Sequence, residues 1–161
     1  MNYKKYIKDI PNYPNDGVLF RDIQPLIANH SIFDKAISDM LKLIDIQKID
    51  YFVGIESRGF IFSSSLALKS GKGNILIRKK GKLPNINLVS LNYDTEYSKD
   101  SIEMQEGNGN VIIVDDVYAT GGTMKAARKL AKKAGFSIID TLCLIDIGII
   151  KEHGTKCLIY Y

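Results

Sequence analysis

Along residues 111–114, Val111, Ile112, Ile113 and Val114 follow one another with no polar residue between them. Such a branched, unbroken apolar run suits a strand buried on both faces, as in a parallel sheet. Residues 51–55 and 138–145 read as further strands, residues 75–78 as a shorter one, and residues 156–160 as a last strand at an edge. Between them the period changes. Over residues 32–46, Ile32, Phe33, Ala36, Ile37, Met40, Leu41, Leu43 and Ile44 recur at helical spacing, with Ser31 placed as N-cap. Residues 60–69 predict a helix ended by Gly71, and residues 124–134 a helix ended by Gly135. Strand, helix and strand over residues 51–78 make a βαβ unit. Residues 83–105 alternate and are rich in polar side chains, so residues 89–93 and 101–105 predict an antiparallel ribbon with residues 94–99 at its tip. Residues 9–29 hold three of the four prolines and read as an irregular cap. The whole predicts an α/β fold: a mostly parallel central sheet flanked by helices, carrying a small N-terminal hood and a ribbon.

Composition narrows this picture in a few places. The 161 residues contain no internal repeat or low-complexity tract, which fits a single domain over residues 1–161. No apolar stretch approaches bilayer length, and residues 1–8 are charged with no signal-peptide core behind them. A cytoplasmic protein without a membrane partner is therefore expected. A net charge of +4 suits small anionic ligands and is too weak to argue for nucleic acid. Tryptophan is absent, and no basic stretch is interleaved with aromatics as in a single-strand binder, so no nucleic-acid partner is expected. Cys143 and Cys157 lie in apolar stretches and read as buried free thiols. His30 and His153 stand alone, which gives a histidine metal centre or triad no support.

Chemistry gathers behind the first run. It continues Asp115-Asp116-Val117-Tyr118-Ala119-Thr120-Gly121-Gly122-Thr123, so the polar residues are expected just past a strand's carboxyl end, where open α/β sheets bind ligands. Residues 120–123 then open a helix, whose free N–H groups and dipole favour an anion that two glycines let approach closely. Asp115 and Asp116 repel a phosphate; they suit hydroxyl groups, as on a ribose, or a metal ion. Together these point to a sugar phosphate. An Asp pair after a strand also occurs in phosphorelay receivers and Mg²⁺ sites, but the complete ordered string is more specific. The string lacks the Gly-Lys-Ser/Thr of a triphosphate loop and the spaced glycines of a dinucleotide fold. Glu56-Ser57-Arg58-Gly59 repeats the strand–turn–helix logic, as a second anion site or as an ordinary helix start with a surface arginine. Arg78, Lys79, Lys80 and Lys82 follow a strand, as a solvated face or as cations at the same ligand edge.

Residues 115–123 resemble the phosphoribosyl-diphosphate (PRPP) binding motif of the type I phosphoribosyltransferases. Further segments narrow the resemblance to the adenine phosphoribosyltransferases. These are Pro11-Asn12-Tyr13-Pro14 with Gly17-Val18-Leu19-Phe20-Arg21-Asp22-Ile23, and Gly54-Ile55-Glu56-Ser57-Arg58-Gly59-Phe60-Ile61-Phe62. Arg78-Lys79-Lys80-Gly81-Lys82-Leu83-Pro84 and Tyr93-Asp94-Thr95-Glu96-Tyr97-Ser98-Lys99 complete the set, in family order from about residue 11 to residue 147.

The resemblance implies the type I phosphoribosyltransferase fold, with residues 1–30 as a hood and residues 83–105 as a flexible catalytic loop. It implies transfer of the phosphoribosyl group of PRPP to adenine, giving AMP and pyrophosphate in purine salvage. Asp115 and Asp116 would hold the ribose, and Ala119, Thr120, Gly121, Gly122 and Thr123 the 5′-phosphate. Ser57, Arg58, Gly59, Arg78, Lys79 and Lys82 would contact pyrophosphate, the loop at Glu56–Ser57 often through a non-proline cis peptide. Leu19, Phe20 and Arg21 would take adenine, Glu96 would act on the base, and Tyr97 belongs to the lid. Mg²⁺ is the implied cofactor, held mainly by PRPP with Asp115 or Asp116 beside it. A homodimer is a family expectation, with Arg78 and Lys82 reaching across its interface. Ser98, Asn85, Ser63 and Tyr118 depart from the family pattern, and none of them replaces a charged functional residue. A hypoxanthine, guanine or xanthine enzyme would share the PRPP site but build its base pocket after the motif helix. A PRPP-sensing regulator would not require Arg58, Arg78, Lys82 and Glu96 all intact.

Overall fold

The segment predicted as an irregular cap contains a hairpin. In the computed structural model, which describes residues 1–94, 99–151 and 154–161, β1 (Lys8–Pro11) pairs antiparallel with β2 (Leu19–Asp22). Only four residues on each side pair, so the period-2 signal is too short to stand out from the prolines around it. The connecting loop turns at Asn12 (φ 57°) and Gly17 (φ 81°), where the Asn12 side chain accepts the Gly17 N–H at 2.9 Å, and its Tyr13–Pro14 peptide is cis. A short helix α1 (Gln24–Ile27) follows, then α2 (His30–Leu41). The cap of α2 is Asn29 rather than Ser31: its side chain accepts the Ile32 N–H at 3.2 Å. The helix also stops five residues short of the expected end. Asp45 instead caps a separate 3-10 turn, Ile46–Lys48, by accepting the Gln47 N–H.

Two compact units divide the chain, Met1–Asp39 and Met40–Tyr161. Tyr3, Ile7, Ile23, Leu26, Ala36 and Ile37 are buried in the first. Its N-terminal turn is tied down by the Tyr3 hydroxyl, which donates to Asp39 at 2.7 Å.

The second unit is built on a seven-stranded sheet. After β3 (Tyr51–Ile55), α3 (Gly59–Ser70) leads to β4 (Gly73–Lys79). The ribbon is β5 (Leu88–Asp94) with β6 (Lys99–Gln105), and β7 (Asn110–Tyr118), α4 (Gly122–Lys133), β8 (Ser137–Asp146) and β9 (Lys156–Tyr160) complete it. The order is β5-β6-β4-β3-β7-β8-β9: five parallel strands with the ribbon joined antiparallel to β4 through β6. This is the mostly parallel α/β sheet the hydrophobic runs predict, with β9 at the expected edge.

Both faces of β7 are covered, which is why its sequence does not alternate. Val111 and Ile113 pack with Leu130 and Ala127 of α4, while residues 52 and 54 of β3 face α3, where Phe62 and Leu66 are fully buried. Each such side chain contributes roughly 1.5–3 kcal/mol by leaving water. Gly54 has no room for a side chain, because a Cβ there would occupy the position of the Ser63 hydroxyl. Cys143 and Cys157 are buried free thiols on register-paired positions of β8 and β9, as expected. No helix among the described residues is long and apolar enough to cross a membrane.

Candidate active site

The carboxylates do not lie past the end of β7 but inside it. β8 extends as far as Asp146 and goes on supplying backbone partners, pairing Asp115 with Cys143 and Tyr118 with Asp146. Asp116 is consequently buried, at 5% exposure, whereas Asp115 is partly open. Arg58, immediately before α3, forms an ion pair with Asp116, its Nε 2.7 Å from Oδ2. Asp115 accepts the Asp116 N–H at 2.9 Å. Burial, followed by the neighbouring negative charge of Asp116, pushes the Asp115 carboxyl well above its ordinary range. Asp116 is also pushed up by burial, and the Arg58 guanidinium pulls it part of the way back.

Gly59 lets these two loops touch. A Cβ on it would stand 2.8 Å from the Val114 carbonyl oxygen and 3.2 Å from Asp115 Oδ1. Gly59→Ala is therefore expected to force α3 away from β7, costing about 1–3 kcal/mol as overpacking does, and to separate Arg58 from Asp116. Thermal melting and catalytic rate on the same sample check this; an unchanged melt would show that the contact relaxes.

Beyond β7, Ala119, Thr120, Gly121, Gly122 and Thr123 line a cavity of about 70 Å³ together with Asp115. Gly121 caps α4 at φ 78° with no side-chain hydrogen bond, so the first N–H groups of the helix have no capping side chain from it. That leaves a place for one tetrahedral anion. Gly121 is required twice over: for its left-handed backbone, and because a Cβ would run into the Tyr118 hydroxyl. The ribbon reaches the same loop, where the Thr123 hydroxyl partly offsets the rise that burial imposes on the Tyr93 phenol.

The basic segment is anchored by two carboxylates that the sequence reading did not single out as anchors. Arg78 and Lys79 lie in the last turn of pairing of β4 rather than after it. Glu56 Oε2 takes Arg78 Nε at 3.3 Å and the Lys79 N–H at 2.8 Å. Burial opposes ionisation of Glu56, but these donors prevail and hold its carboxyl below the ordinary value. Arg78 also donates to the Lys82 carbonyl at 3.1 Å, and Lys79 lies 3.6 Å from Asp100. Glu103, 2% exposed on β6, accepts the N–H groups of Lys82 and Leu83 at 3.0 Å each. The Lys82 main chain is thus held from two sides while its side chain stays exposed. The Glu56–Ser57 peptide is cis, as the resemblance implies.

The second unit therefore brings Ser57, Arg58, Gly59, Asp115, Asp116 and residues 119–123 to one edge of the sheet, with Glu56 tying Arg78 and Lys79 to it. Leu19, Phe20 and Arg21 belong to the first unit. There Phe20 meets Tyr13 edge to face with centroids 5.1 Å apart, and Arg21 is ion-paired with Asp9. Glu96, Tyr97 and Ser98 lie outside the described residues.

A carboxylate pair thus stands beside a helix start capped by glycine, with cations on the neighbouring loops. The family described as phosphoribosyl transferase domain matches residues 26–157. The chain is 46% identical to the adenine phosphoribosyltransferase of Hydrogenovibrio crunogenus over 152 residues, covering 93% of this chain and 88% of that one. It overlays the adenine phosphoribosyltransferase structure from Thermoanaerobacter pseudethanolicus with a TM-score of 0.90 at 33% identity, covering 98% and 97% of the two chains. With the Saccharomyces cerevisiae enzyme, complexed with an imino-altritol bisphosphate and adenine, the TM-score is 0.83 at 35% identity, over 96% and 93%. The chain belongs to the adenine phosphoribosyltransferase family.

Proposed function

We infer that the chain transfers the phosphoribosyl group of PRPP to adenine, releasing pyrophosphate and forming AMP. The observation that carries this reading is the Arg58–Asp116–Asp115 cluster set against the glycine helix start of α4, in a chain similar along its length to adenine phosphoribosyltransferases.

The reaction builds positive charge on the sugar and negative charge on the leaving group, so opposite charges must be waiting at each. Asp115 and Asp116 hold the ribose hydroxyls and face the developing sugar cation. Ala119, Thr120, Gly121, Gly122 and Thr123 hold the 5′-phosphate through N–H and hydroxyl donors. Ser57, Arg58, Gly59, Arg78, Lys79 and Lys82 receive the pyrophosphate, Arg by its planar fork and Lys as a mobile point charge. Arg58 is held ready by Asp116. Phe20 stacks on the purine. Leu19 and Arg21, two residues apart on β2, present backbone groups to one strand edge and read the base from there. The Arg21 side chain is occupied by Asp9, which fits a main-chain role. Glu96 assists proton transfer on the base, and Tyr97 helps close the lid against water.

No group of three metal-ligating side chains occurs among the described residues. Mg²⁺ commonly uses one or two carboxylates plus substrate phosphates, so it is taken with its substrate. Asp115 or Asp116 would supply the carboxylate, and the ion would neutralise charge on the departing diphosphate. The chain acts as one functional domain over residues 1–161, in the cytoplasm, as a homodimer. The test is AMP formation from adenine and PRPP with Mg²⁺, for the natural chain and for Glu96→Gln. Activity in the first and a severe loss in the second are expected. No activity in the natural chain overturns the enzyme reading, and turnover of hypoxanthine but not adenine overturns the base.

A further inference from the structure

A second cavity, of about 560 Å³, adjoins the small phosphate cavity and extends from the wall at residues 120–122 along α4 as far as Lys132. It is within the size range of small-ligand pockets. Four cations line it: Lys125, Arg128, Lys129 and Lys132. Among the described residues no Asp or Glu lines it, whereas Asp115 lines the small cavity. Their spacing puts all four on one face of the helix, over about 10 Å of its axis.

An ordinary solvated helix face does not look like this. α4 carries five basic residues and no acidic one, so it has no internal counter-charges at the three- and four-residue spacings where they would help. Elsewhere Arg21, Lys35, Lys48, Arg58, Arg78, Lys79 and Lys156 each stand within ion-pair distance of a carboxylate. Among the described residues no such pair involves any of the four. Lys125 also sits in the first turn of the helix, where the dipole disfavours a cation. Repulsion of this kind in a concavity is relieved by a multiply charged anion, and the linear array matches a chain of charges rather than one centre. Tyr118 and Thr155 also line it, the Thr155 hydroxyl being paired with that of Thr141 at 3.0 Å.

We propose that this groove binds a linear triphosphate, either inorganic or carried by a nucleotide, at a site separate from the one that holds PRPP. The site shares residues 120–122 with the phosphate loop, so its occupancy is felt there.

The test is calorimetric titration of the full chain at about 0.15 M salt with inorganic tripolyphosphate and, separately, with CTP, whose base is not adenine. Arg128→Gln combined with Lys129→Gln should weaken binding roughly tenfold, the loss expected from two charge-assisted contacts. Glutamine keeps the helix, and AMP formation should stay within about twofold, since neither residue borders the carboxylates. Arg58→Gln should leave this binding event intact. Tighter binding of CTP than of tripolyphosphate assigns the nucleotide as source, and the reverse assigns the inorganic chain. Binding absent in the natural chain, or equal in the double variant, overturns the proposal. None of these readouts depends on the identity of the base that the enzyme uses.

Discussion

Asp115→Asn should make the protein more stable and much less active. Asp115 and Asp116 are neighbouring carboxylates whose folded-state pKa values are both raised, chiefly by burial. A carboxyl held above its unfolded value binds its proton more tightly when folded, so stability falls as the pH rises from about 4, the ordinary Asp value, towards the raised one. Above that the penalty is constant. Asparagine removes one of the charges and keeps an oxygen to accept the Asp116 N–H. The variant should melt about 2–4 °C higher at neutral pH, equivalent to ~1 kcal/mol in a chain of this length, and the gain should shrink towards pH 4. AMP formation should drop about 10²–10³-fold, the usual cost of removing one pre-set electrostatic contact to a transition state. A lower melting point at neutral pH would show that Asp115 supports the fold rather than burdening it.

Glu103→Ala should damage stability and PRPP use together. Burial alone would raise this carboxyl, but the N–H groups of Leu83, Gly81 and Lys82 prevail and hold it below its ordinary value. Its contribution is therefore complete above about pH 4.3, the unfolded Glu value, and lost as pH falls through the lower folded value. At neutral pH alanine strands the Lys82 and Leu83 N–H groups, which Glu103 accepts at 3.0 Å each, a cost of about 2 kcal/mol. The melting difference from the natural chain should be steady near pH 7 and close in acid. With the turn at residues 80–83 released, KM for PRPP should rise about tenfold with a smaller change in kcat, the pattern of lost ground-state binding. Glu103→Gln, which keeps an acceptor oxygen, should recover part of both. An unchanged KM would mean that the turn keeps its shape without this anchor.

Glu103 also shows where sequence reading runs out. In an alternating ribbon Ile102 and Met104 declare one face as core, and the residue between them then reads as solvent-facing. What buries it is the turn at residues 81–83 folding over that face, a contact about twenty residues distant in the chain. The anchoring role of Glu56 escaped notice for the same reason, since its partners are on β4. The sheet was legible because both faces of β3 and β7 are apolar and no other element needs such runs. The glycine helix start was legible because its chemistry is local in sequence. Strand ends were harder: β7 runs on through two carboxylates because β8 is long enough to pair with them, and nothing in residues 115–118 announces that. The hairpin of β1 and β2 was hidden by its brevity, and the cap of α2 by Asn29 and Ser31, two residues apart and both able to serve.

The Gly54–Ser63 contact constrains how this sequence can change. The hydroxyl of Ser63 fills the volume that any side chain at position 54 would need. Alanine at 54 conflicts with serine at 63, and with that serine removed its tightest neighbour is Phe60 Cδ1 at 3.1 Å, which must give by a few tenths of an ångström. A lineage that has acquired Ser63 cannot leave glycine at 54 without first giving the serine up. Ser63 thus works as a ratchet on its neighbour. Gly54→Ala should fail in this chain and be tolerated once Ser63→Gly is present.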